Sequence, residues 1–75
     1  MKLTKRQFDL LEFIAKHEPC AQWEVAEGCN ISIATSDKWC GTLKLRGAIT
    51  YEPEVYQSVV LTRAGRTALD KHSNA

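Results

Sequence analysis

What this sequence lacks narrows the possibilities before any motif is considered. No apolar run approaches the ~18 residues of a membrane-spanning helix, and the basic opening MKLTKRQ is not followed by an apolar stretch. Neither a signal peptide nor a membrane span is therefore expected, and the chain is expected to be cytoplasmic. Its three cysteines, Cys20, Cys29 and Cys40, are odd in number and include no C-x-x-C pair, which argues against a disulfide framework. There is no phosphate-cradling glycine loop. No serine or cysteine has a recognisable base partner, so no catalytic residue and no cofactor is expected. Repeats, linkers and low-complexity segments are absent as well. The net charge is only +1, low for a dedicated nucleic-acid binder, whose affinity comes largely from neutralising phosphates.

What is present fits one small domain. A chain of 75 residues with 44% apolar and 25% charged residues is ordinary for a globular protein. At this size only about 60% of the unfolded surface is buried, so nearly every apolar side chain must serve a single core. His17 and Cys20 have an H-x-x-C spacing, and Cys29 and Cys40 would complete four zinc ligands. Closed zinc sites usually show tighter paired spacings. Cys29 and Cys40 fall where small buried hydrophobes belong, and no metal is expected.

Helix signals dominate the first two thirds. Thr4 followed by Gln7 is a capping box, with Leu3 and Phe8 placed as the hydrophobic staple around it. Phe8, Leu11, Ile14 and Ala15 recur at helical spacing, and Leu10 and Phe13 widen the stripe. This predicts a helix from about Lys5 to His17, ended before Pro19 and contacted from more than one side. A second helix is expected from Ala21 to Gly28, carrying Trp23, Val25 and Ala26. Asn30 is the candidate left-handed residue that ends it, and Ile31 turns inward. Ser32 is an N-cap for a third helix running to about Arg46 and closed by Gly47. Two helices joined by a tight turn make a helix-turn-helix.

Beyond Gly47 the pattern changes. "AITYE" and "VYQSVVL" are rich in β-branched and aromatic residues, and "EPEV" fits a turn between them, so a hairpin is expected. Thr62 can cap a final short helix from Arg63 to about Lys71.

In this order the pieces resemble a winged helix-turn-helix domain of the MarR type. "LTKRQFDLLEFI" is similar to that family's opening helix, and "WEVAEGCNIS" matches its turn without a gap. Leu43, Gly47 and Ile49 match the end of the third helix, and "LTRAGRTAL" resembles the segment that closes the wing. The resemblance implies a mainly α fold with a three-helix core, a two-stranded wing and a short C-terminal helix. It also implies double-stranded DNA as partner and a role as a transcriptional regulator. The third helix would enter the major groove, and the ungapped match gives Thr35, Asp37, Lys38, Gly41 and Thr42 as its exposed face. Ser36, Trp39, Cys40 and Leu43 would point inward.

Lys38 would touch a phosphate or a guanine, or else be a solvated lysine. Asp37 could accept from a cytosine amino group, though a surface or capping role also explains it. Lys5, Arg6, Lys44 and Arg46 are candidates for phosphate contacts. The wing departs from the family pattern, because Glu52-Pro53-Glu54 is short and negative, and two carboxylates approach a phosphate backbone unfavourably. With Tyr51 and Tyr56 beside it, this acidic wing is the basis of an alternative, a protein-binding module that does not bind DNA. Only about ten residues of the last helix are present, whereas long terminal helices form the family's dimer interface. A monomer, or a dimer through another surface, is therefore expected.

Overall fold

The computed structural model describes residues 2–54 and 58–73. Helix α1 spans Lys5–His17. The Thr4 hydroxyl accepts from the Gln7 amide at 3.2 Å, and the Thr4 amide donates to the Gln7 side chain at 2.8 Å, so two donors left over by the helix start are satisfied. Leu10, Leu11 and Ile14 are its buried face, and Leu3 and Phe8 of the expected staple both pack against the core. As its apolar width suggested, α1 is a hub that meets α2 (Gln22–Gly28), a strand of the sheet and α4 (Arg63–Ser73).

Helix α2 starts one residue later than expected, with Ala21 as N-cap and the Glu24 carboxylate accepting from its amide at 3.4 Å. It ends in a Schellman motif. The Ile31 amide donates to the Ala26 carbonyl at 2.9 Å and the Asn30 amide to Glu27 at 3.3 Å, with Asn30 at φ 57°. Helix α3 (Ile33–Leu45) ends in the same way. Ala48 donates to Leu43 at 2.9 Å and Gly47 to Lys44 at 3.0 Å, with Gly47 at φ 78°. Both left-handed positions lie where the sequence placed them.

The hairpin is present as β2 (Ile49–Tyr51) and β3 (Ser58–Leu61). Residues 55–57, including Tyr56 and the first part of the expected second strand, lie outside the described residues. The two-stranded wing of the sequence reading is widened by a third strand, β1 (Cys20–Ala21), paired antiparallel to β3 with Cys20 opposite Val59. The sheet order is β1-β3-β2, with Ile49 opposite Leu61. Two residues are too few to show alternation in a sequence, and only the pairing with β3 makes them a strand.

Thr62 ties the sheet to α4. Its amide donates to the Ala48 carbonyl at 2.9 Å, and its hydroxyl accepts from the Gly65 amide at 3.0 Å. A Cβ on Gly65 would run into the Ala48 carbonyl, so the glycine permits this close approach. At the far end of α4 the His72 ring stacks on Phe8 with centroids 3.9 Å apart. Arg66 pairs with Glu18 at 2.6 Å, and the same carboxylate oxygen accepts from the Leu61 amide at 3.4 Å. Leu10, Leu11, Ile14, Val25, Leu43 and Val59 fill the core between these elements.

Candidate nucleic-acid interface

Helix α3 has two flanks of different character. Its start is fixed by Ser32, whose hydroxyl oxygen accepts from the Thr35 amide at 3.1 Å and whose proton goes to the Thr35 hydroxyl at 2.8 Å. Ser36, Cys40 and Leu43 are buried along one flank. The Ser36 hydroxyl donates to the Gln22 carbonyl at 2.8 Å, clamping the start of α2 against α3. Trp39 is half-buried against the core, so the expected inward set is borne out. It also walls a surface cleft of about 430 Å³, shared with Arg6, Phe13, His17 and Ile31 of α1 and the turn.

The opposite flank carries Ala34, Lys38, Gly41 and Leu45, four positions at helical spacing. Asp37 and Lys38 are exposed, as the match to the family proposed, whereas Thr35, Gly41 and Thr42 are half-buried. Thr42 turns its hydroxyl back onto the Lys38 carbonyl at 3.1 Å. A Cβ on Gly41 would meet nothing within 4 Å, so no packing among the described residues requires glycine there. Three exposed apolar residues of α3 were not singled out in the sequence: Ile33, 61% exposed, at the start of the helix, and Ala34 and Leu45, 91% exposed, on this flank. A helical wheel centred opposite Ser36, Cys40 and Leu43 would have found the last two.

The candidate cations divide into two groups. Lys44 lies over the Tyr51 ring, 4.4 Å from its centroid, and so sits at the base of the wing. Tyr51 is held in turn by the Gln22 side-chain amide, which donates to its hydroxyl at 2.9 Å. Arg46 donates to the Lys2 carbonyl at 3.2 Å, which brings the start of the chain beside the end of α3. Lys5 pairs with Asp9 at 3.7 Å along α1, and Arg6 lines the cleft beside Trp39. The Glu52 amide donates to the Ser58 carbonyl at 2.9 Å, closing the described part of the hairpin beneath exposed Pro53 and Glu54.

The cysteines belong to the interior. Burial pushes the Cys20 thiol up to about 11, helped by the Glu24 carboxylate. Burial also raises Cys40, against a hydrogen bond shared with Ser36 that lowers it, and it raises the half-buried Cys29. Among the described residues no group of three or more histidines, cysteines and carboxylates is arranged to hold a metal ion, so His17, Cys20, Cys29 and Cys40 do not converge. No described helix is long and apolar enough to cross a membrane.

No protein-family model matches the sequence, and comparison with curated proteins gives no match. Solved structures do match. A Listeria innocua protein of unknown function superposes with a TM-score of 0.90 at 25% identity, over 97% of this chain and 52% of its own. Staphylococcus aureus MarR, solved with salicylate and kanamycin, gives 0.79 at 25% identity, over 91% of this chain and 48% of its own. The fold is a MarR-like winged helix. Streptococcus pneumoniae FabT in complex with DNA gives 0.83 at 17% identity, over 97% of this chain and 54% of its own. The chain thus spans about half the length of the structures it matches.

Proposed function

We propose that this MarR-like domain binds double-stranded DNA as a small transcriptional regulator, with α3 in the major groove. The outward flank of α3 carries the reading. It has no packing partner among the described residues, while its opposite flank is locked into the core by Ser36, Cys40 and Leu43. In this arrangement Lys38 meets a phosphate or a guanine edge, Thr35 and Thr42 lie against the groove wall, and Asp37 accepts from a cytosine amino group. Lys44 and Arg46 reach phosphates at the C-terminal end of the helix, and Lys5 and Arg6 supply a second, more distant charge. FabT and a MepR variant, both similar in fold, were solved with DNA or an oligodeoxyribonucleotide, which supports the reading by analogy.

The test is the fluorescence anisotropy of a labelled mixed-sequence duplex at low and near-physiological salt. With about four phosphate contacts, affinity should fall roughly 100-fold between about 50 and 200 mM salt. Absence of binding at the lower salt would contradict the reading. A protein-binding module is the second reading. Its support is the 57% exposed Trp23, which lines a surface depression with the α2 carboxylates Glu24 and Glu27, together with the acidic wing residues Glu52 and Glu54.

A further inference from the structure

We propose that the first turn of α3 reads thymine C5-methyl groups through Ile33 and Ala34, so that the preferred duplex carries A·T pairs opposite that turn. This rests on the DNA-binding reading above and adds what the helix discriminates. In helix-turn-helix readers the N-terminal residues of the second helix contact base edges. Here that end presents a large aliphatic side chain, Ile33, 61% exposed, next to exposed Ala34. Neither serves the core, whose α3 members are Ser36, Cys40 and Leu43.

Two hydroxyl protons of this helix face are already committed, which leaves that of Thr35. Ser32 gives its proton to Thr35 and its lone pair to the Thr35 amide, and Thr42 donates to the Lys38 carbonyl. Few groups on this flank remain to read hydrogen-bonding edges. The major groove offers an apolar reader one partner of its own kind, the thymine methyl. Gly41 fits the same picture. Without a side chain in the middle of the outward flank, the helix axis can lie closer to the groove, and a residue as short as Ala34 can reach a methyl group. The charge along α3 favours a duplex over an apolar protein surface, since exposed Lys38 in its middle and Lys44 and Arg46 at its far end stand against Asp37 alone.

Preferred duplexes would be selected from a random pool with the wild-type protein and then synthesised with deoxyuridine in place of thymidine. Anisotropy at fixed salt would compare the two forms for wild type, Ile33→Ala and Ile33→Val, with a thermal melt of each variant confirming its fold. Each contacted methyl should be worth about fourfold in affinity. Ile33→Ala should lose most of the thymine-over-uracil preference, and Ile33→Val should keep most of it. Equal affinity for the two forms, with salt-dependent binding intact, would overturn the methyl reading and leave DNA binding standing. No binding to any duplex at low salt would overturn both.

Discussion

The two flanks of α3 belong to one helix of 13 residues and obey different rules. On the inner flank, residue choice is constrained from several sides at once. Leu43 fills the core, Cys40 packs at 1% exposure, and the buried Ser36 hydroxyl is used by the Gln22 carbonyl. On the outer flank no contact among the described residues dictates Ala34, Lys38, Gly41 or Leu45. Gly41 even costs helix stability, by about 1 kcal/mol relative to alanine, and no internal contact explains it. A helix face that accepts a stability cost with no packing reason is where function is to be sought.

Substitutions on the two flanks should therefore separate stability from binding. Leu43→Ala should have the largest effect, about 2–5 kcal/mol of destabilisation, lowering Tm by roughly 10 °C or more in a domain of this size. Gly65→Ala, away from α3 but equally enclosed, should cost about 1–3 kcal/mol, because its methyl group meets the Ala48 carbonyl. A melt showing either variant as stable as wild type would contradict the packing described for it. Gly41→Ala should act with opposite signs on the two properties, raising stability by about 1 kcal/mol while weakening duplex binding. A gain in both would remove the functional reason for the glycine. Lys38→Ala should change stability by less than about 0.5 kcal/mol and reduce the salt slope of binding by about one contact.

The cysteines extend the comparison to the interior. The Cys20 thiol ionises near 9.0 when unfolded and at about 11 when folded. The folded state therefore holds this proton over a window in which the unfolded chain has lost it. The contribution to stability is full below about pH 9 and is lost as pH rises towards about 11. Unfolding titrations across that range should show the decline, and Cys20→Ala should flatten it. In the native protein at pH 8, thiol reagents should modify half-buried Cys29 ahead of Cys20 and Cys40.

How much of this was legible in the sequence follows the range of the interactions. The caps at Thr4 and Ser32, and the left-handed positions at Asn30 and Gly47, depend on neighbours within a few residues, and all four were readable. The inner flank of α3 was readable from spacing. Strand β1 was not, because Cys20 and Ala21 become a strand only through β3, far along the chain. The exposure of Trp23 was hidden as well, since α2 has 7 residues and buries only Val25 and Ala26. Among the candidate cations, composition could not show that Arg46 reaches the Lys2 carbonyl or that Lys44 covers Tyr51. These are tertiary contacts that shape which charges face outward.

The most direct test of α3 as the reading element is an amide chemical-shift titration of the labelled protein with a short duplex at low salt. Shifts concentrated on Ile33 to Thr42, with smaller ones at Lys44 and Arg46, are the expected result. Shifts centred instead on Trp23 and Glu27 of α2, with α3 unmoved, would contradict it.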